Sequence, residues 1–126
     1  MGDPSALGTA AEPIDESVLD GYRFLQEAGC PDVVTEFIDS YLADLPGRIE
    51  ALHAAVAAGD PPRVRSAAHA LKGSSASLGA TAVASVCGRM EAAARAGDVE
   101  AVRPWLSELD PEIHRAVERL KAYRVV

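Results

Sequence analysis

Aromatic residues are scarce in this sequence, at 5% of 126 positions. Its core must therefore be built from Leu, Val, Ile and Ala. No run of about 18 apolar residues occurs, so no membrane-spanning helix is expected. The two cysteines, Cys30 and Cys87, lie far apart and outside any CxxC spacing. They read as free thiols in a reducing compartment, not as a disulfide. The N-terminus lacks the basic, apolar and small-residue blocks of a secretory signal. Met1-Gly2 is not followed by the Ser or Thr of a myristoylation motif, because Ala6 occupies that place. A cytoplasmic protein is the default that these absences leave.

Positive charge is also in short supply. Twelve Lys and Arg stand against 19 Asp and Glu, a net charge of −7. Nucleic acid is not expected as a main partner, because a phosphate backbone needs a basic face. There is no GxxxxGK or GxGxxG phosphate cradle and no HExxH pattern. His53, His69 and His114 fall on three different predicted helices with no close spacing, so no metal site is expected. Ser74, Ser75 and Ser77 have no nearby Asp to suggest a triad, and a helix interior is the wrong setting for a nucleophile elbow. No segment alternates apolar and polar residues as a strand would.

Helical periodicity is what remains. Hydrophobic content of 48% and charged content of 25% suit one soluble domain. Residues 1–13 show no periodicity and read as a flexible tail, with the domain at 14–124. Asp15 is an expected N-cap, with Ile14 and Leu19 as a hydrophobic staple, for a short helix at about 16–28. From Pro31, the spacing of Val34, Ile38, Tyr41, Leu45, Ile49, Leu52 and Val56 predicts a long helix to about 58, kinked near Pro46. Two helices broken at Pro46 are the alternative. Gly59-Asp60-Pro61 ends that helix and opens the next, at about 61–78. Leu78-Gly79-Ala80-Thr81 separates it from a fourth helix to about 96, whose stripe is Val83, Val86, Cys87, Met90 and Ala94. Cys87 and Met90 are then core filler. After Gly97-Asp98, a last helix runs to about 123, loose before Pro104 and open to a kink near Pro111, with Trp105 partly under its stripe. The fold class is all-α: an antiparallel up-down-up-down four-helix bundle with the short N-terminal helix capping one end.

The chemistry concentrates on the helix at 61–78. Taking Leu71 as reference and 100° per residue, Val64, Ala67, Ala68, Leu71, Ser75 and Leu78 share one face. Arg65, His69, Lys72, Gly73 and Ala76 share the other. His69 should thus meet solvent between two cations, Arg65 and Lys72, which would favour a neutral, nucleophilic ring and would stabilise an anion placed on it. Lys72, read as exposed, is expected to contribute little to stability. Gly73 costs about 0.8–1 kcal/mol relative to Ala in a helix interior, so it needs a reason; clearance beside the imidazole supplies one. Between Pro61 and Met90 there are four basic residues, Arg63, Arg65, Lys72 and Arg89, and no acidic one. A basic island on an acidic protein suits docking of an acidic site.

Ala68-His69-Ala70-Leu71-Lys72-Gly73-Ser74-Ser75-Ala76-Ser77-Leu78-Gly79-Ala80 resembles the signature of histidine-containing phosphotransfer (HPt) domains of multistep two-component signalling. The resemblance extends over roughly residues 33–120. It implies a four-helix bundle without kinase activity or a nucleotide site. It implies that His69, through Nε2, accepts a phosphoryl group from the aspartate of one receiver domain and donates it to another. Lys72 would support the phosphoryl oxygens and Gly73 would give clearance; Arg65 and Ala76 are added from the helical wheel as phosphate or receiver contacts. The implied partners are response-regulator receiver domains and a hybrid histidine kinase. No cofactor is expected on this chain, Mg²⁺ being expected on the receiver, and the exposed His69 face argues for a monomer. The competing reading is a non-catalytic HPt-like module that binds and sequesters receivers.

Overall fold

The computed structural model describes residues 13–26 and 33–123, and all regular structure among them is helical. Five helices are present there: α1 (Glu16–Gln26), α2 (Val33–Ala57), α3 (Pro61–Ser77), α4 (Thr81–Arg95) and α5 (Arg103–Tyr123), with a 3₁₀ turn at Glu100–Val102 before α5. The expected tail up to residue 12, Cys30 and the Pro31 helix start lie outside the described residues.

Local sequence signals account for most boundaries. Ser17 donates from its backbone N–H and its hydroxyl to Asp15 Oδ1, which starts α1, while Ile14 and Leu19 are both buried. Asp60 accepts from the Arg63 N–H at 3.3 Å, and Pro61 occupies the first turn of α3. Asp98 accepts in the same way from Ala101 N–H. The helix α2 continues through Pro46, so the alternative of two helices broken there is set aside. Proline removes one backbone donor, and the buried stripe of Ile38, Tyr41, Leu45 and Leu52 holds both sides of it in one helix. The helix α5 likewise continues through Pro111.

The core is aliphatic, as scarcity of aromatics requires. It gathers Leu52, Val64, Leu71, Val83, Met90, Leu109 and Leu120, all fully buried. Consecutive helices from α2 to α5 pack on one another, and α2 also meets α5, so the four close around this core. The α3–α4 pair has the most extensive packing, joined through Leu78, Gly79 and Ala80 alone.

The short helix α1 is clasped over the end of the bundle where α3 stops and α5 finishes. Asp15 N–H donates to Gly79 C=O at 2.6 Å and Tyr22 hydroxyl to Ser77 C=O at 3.0 Å. Arg119 pairs with Glu16, Tyr123 hydroxyl donates to Asp20, and Arg23 lies 4.6 Å from the Tyr123 ring centre. Gly79 is the joint of this clasp. It has φ of +78°, and an added Cβ would stand 2.5 Å from the Asp15 carbonyl oxygen. Gly79→Ala should therefore lower stability by about 1–3 kcal/mol, read from the denaturation midpoint. Gly47→Ala is the control, since an added Cβ there meets nothing within 4 Å; an equal loss in both would contradict this account.

Candidate functional site

The buried face of α3 is the one its periodicity predicts. Val64, Ala68, Leu71, Ser75 and Leu78 are buried, and Ala67 is half-buried. Ser75 is polar and fully buried, and its hydroxyl is satisfied by the Tyr41 hydroxyl at 2.7 Å. That bond ties α3 to α2 below the histidine's helix face. Arg65, His69, Gly73 and Ala76 are exposed, as expected. Gly73 stands in open space, with nothing within 4 Å of an added Cβ.

The site differs from expectation at Lys72 and at the acid beside it. Although no acidic residue lies between 61 and 90, Glu91 of α4 reaches the histidine. Its carboxylate is buried, at 5% exposure. His69 Nδ1 lies 2.9 Å from Glu91 Oε2, and Lys72 Nζ lies 2.7 Å from Oε1. Arg95, one turn further along α4, places a guanidinium nitrogen 3.4 Å from Oε2. Lys72 is therefore not a free surface cation. Its side chain is 37% exposed, and its stem runs across Gly88 of α4, where an added Cβ would sit 3.7 Å from Lys72 Cδ. The reason is packing: α4 covers the flank of α3 on which Lys72 lies.

This arrangement fixes the ring's chemistry. An ionised carboxylate only accepts, so His69 Nδ1 is the donor to Glu91. In the neutral form of the ring this leaves the lone pair on Nε2, on a side chain that is 68% exposed. The Lys72 ammonium holds the Glu91 carboxyl below the usual carboxylate range, against the opposing effect of burial, with His69 adding to the lowering. By contrast, burial pushes the neighbouring Cys87 thiol up to about 12, so it stays protonated and packs as core.

Other expected groups stay apart. His53 and His114 are exposed on α2 and α5. Among the described residues, no group of three or more His, Cys, Asp or Glu converges as metal ligands would, and no helix is long and apolar enough to cross a membrane. Ser74 and Ser77 hydroxyls donate back to the Leu71 and Gly73 carbonyls of their own helix. Arg89 stacks 4.9 Å from the Trp105 ring centre, and Trp105 packs partly against the core. Beside the histidine's helix runs a groove of about 380 Å³, lined in part by Tyr22, Phe37, Tyr41, Asp44 and Leu78. Phe37 is 45% exposed there and meets the Tyr22 ring edge-on.

A solvent-facing histidine oriented by a buried carboxylate, on a helical bundle with this core motif, agrees with the comparisons to known proteins. The chain belongs to the Hpt domain family, whose model matches residues 36–123. It is similar to the crystal structure of histidine-containing phosphotransfer protein B (HptB) from Pseudomonas aeruginosa PAO1. The TM-score is 0.79 at 28% sequence identity, over 90% of this chain and 99% of that one. Comparison with curated proteins gives no match. Membership places the chain in histidine phosphotransfer of two-component signalling.

Two stability measurements check the site. Lys72→Ala should cost about 1–2 kcal/mol, more than a surface substitution, because Glu91 loses its nearest cation while remaining buried; the half-exposure of Lys72 keeps the cost below that of a fully buried pair. A loss under about 0.5 kcal/mol would contradict the pairing. Glu91 ionises more readily in the folded chain, so its contribution is full above the unfolded pKa of about 4.3 and is lost as pH falls through the lower folded value. The stability of the native protein relative to Glu91→Gln should therefore decline as pH drops below about 4. A difference that stays flat on acidification would show that Glu91 is not held ionised.

Proposed function

We propose that this chain is a phosphorelay carrier. His69 takes a phosphoryl group from the aspartate of one receiver domain and passes it to the aspartate of another through a phosphohistidine intermediate. The observation that carries this reading is the orientation of His69: Nδ1 is held at 2.9 Å by Glu91, and the ring is 68% exposed with Nε2 as its free nucleophile. Phosphoryl transfer depends mainly on positioning and charge stabilisation, and an exposed, oriented nucleophile beside cations supplies both.

Lys72 supports the phosphoryl oxygens. Its ammonium has three donors, and the ion pair with Glu91 leaves donors to turn outward. Gly73 provides clearance for the incoming aspartyl phosphate, and Arg65 and Ala76 contact the phosphate or the receiver's rim. Partner domains are receivers of response regulators and of a hybrid histidine kinase, with Mg²⁺ supplied by the receiver. The groove with exposed Phe37 gives such a partner an apolar surface next to α3. The working form is a cytoplasmic monomer whose domain spans 14–124. The three-residue connections before and after α3 favour an antiparallel, up-down-up-down course for the four packed helices.

Incubation with a phosphorylated receiver and Mg²⁺ should place acid-labile, base-stable label on this chain, and ATP alone should not. His69→Gln should abolish labelling with helix content unchanged; persisting label would overturn the assignment, and normal binding without label on the native chain would indicate sequestration. Gly73→Ala separates function from fold. It should raise stability by about 0.8–1 kcal/mol, because the glycine is in a helix interior with no steric need to be one. It should also slow transfer several-fold. Unchanged transfer would show that clearance at this position is not used.

A further inference from the structure

We infer that Asp44 makes the groove beside α3 a seat for a basic side chain of the docking receiver, and so selects among receivers by charge. The inference rests on the phosphotransfer reading and adds to it what the partner must carry.

Aromatic residues are few in this chain, two Phe, three Tyr and one Trp. Three of them, Tyr22, Phe37 and Tyr41, line this groove. Tyr22 and Phe37 stand 5.3 Å apart between ring centres with their planes at 79°, so they form a corner and not a flat wall. Ring faces carry partial negative charge and attract a cation.

Most polar groups of the groove are committed inside the molecule. Tyr22 hydroxyl donates to Ser77 C=O, Tyr41 hydroxyl pairs with Ser75, and the Ser74 and Ser77 hydroxyls donate to carbonyls of α3. Asp44 is different. It is the charged residue among the described residues that line the groove, and it is exposed there with no ion pair or hydrogen bond. Arg48 lies four residues on, a spacing at which such charges commonly pair. Yet Arg48 is half-buried, its Nε is enclosed without a partner, and it does not line the groove. A free carboxylate beside aromatic faces suits an alkylammonium or alkylguanidinium, with the stem on the rings and the head on Asp44. An anion would be repelled.

The receiver supplies that cation because the groove lies within its footprint. Ser74 and Ser77 belong to both groove and α3, five and eight residues beyond His69, or about 7.5 and 12 Å at the helical rise. Even a small transient interface covers about 600 Å² per partner, a disc of roughly 14 Å radius. A receiver centred on His69 therefore reaches the groove. Charge changes sign across this footprint: α3 carries Arg63, Arg65 and Lys72 and no acidic residue, whereas the groove's edge on α2 carries Asp44. A receiver that brings an acidic centre to α3 must bring a base to α2 to match. With a neutral group opposite, Asp44 would lose water without gaining a partner, and with an acid opposite it would be repelled.

The test has two arms, both on the full chain. In the first, ¹⁵N-labelled protein is titrated with n-butylguanidinium and with its neutral isostere, n-butylurea. The cation should shift the amides of Phe37, Ser40, Asp44 and Ser77, and its apparent affinity should fall at least about threefold in Asp44→Asn. Equal responses to the two probes would overturn the inference. In the second, transfer from a phosphorylated receiver is followed. Asp44→Lys should raise the KM for the receiver at least about fivefold with the saturated rate near native, and Asp44→Glu should keep KM near native. Glu50→Lys makes the same charge change on α2 away from the groove and should alter KM less than about twofold. An equal rise in both would show long-range attraction alone and overturn the inference. So would an unchanged KM in Asp44→Lys, even with probe binding, since the groove would then serve a free cation. A dimer detected by sedimentation and lost in Asp44→Lys would make a second copy the occupant, and would overturn it too. If the native chain takes no label, the phosphotransfer reading fails instead, and direct binding of the receiver to the native and Asp44→Lys chains still decides whether Asp44 selects it.

Discussion

The contact between the Glu91 carboxylate of α4 and the His69–Lys72 pair of α3 is the constraint on which this site depends. It sets which ring nitrogen carries the proton, and hence which one is free. It also commits the most closely placed cation, Lys72, to a carboxylate. A surface histidine left to rotate would present either nitrogen. Here a buried, ionised acceptor selects one presentation, and the histidine side chain remains 68% exposed.

The rest of the chain holds α3 and α4 in the register that makes this contact possible. Only three residues join the two helices, and Gly79 takes a backbone conformation in which a side chain would strike Asp15. The clasp of α1 lies on the same turn through Asp15 and Tyr22, and it is fastened to α5 through Arg119, Tyr123 and Arg23. On the other side, the Tyr41–Ser75 hydrogen bond fixes α3 against α2, and burial raises the pKa of the Tyr41 phenol. The fold is thus an aliphatic bundle with few polar ties, and those ties lie near the ends and the flank of the helix that carries His69. This arrangement leaves the face of that helix with Arg65, His69, Gly73 and Ala76 exposed.

Much of this was legible in the residues. Periodicity and the Gly–Asp punctuation located the five helices of the described residues, and the helical wheel of α3 placed Val64, Ala68, Leu71 and Ser75 inward and His69, Gly73 and Arg65 outward. The motif from Ala68 to Ala80 pointed to the family. The apolar spacing on both sides of Pro46 already favoured one long α2, and the helix does continue through that proline. The setting of Lys72 was not legible. Lys72 was assigned to solvent because a wheel treats a helix as alone, whereas α4 covers that edge of α3. A signal for Glu91 did exist. It lies four residues after Cys87 and three before Ala94, both on the buried stripe of α4, so a charge at that position demanded a partner. Which helix would supply the partner is a matter of packing, and spacing within one helix does not contain it.

The most direct test of the account is to determine which nitrogen carries phosphorus. The phosphorylated, ¹⁵N-labelled protein can be examined for scalar coupling between ³¹P and the imidazole nitrogens. Coupling is expected to Nε2 of His69, with a proton retained on Nδ1. Coupling to Nδ1, or to a nitrogen of His53 or His114, would contradict it.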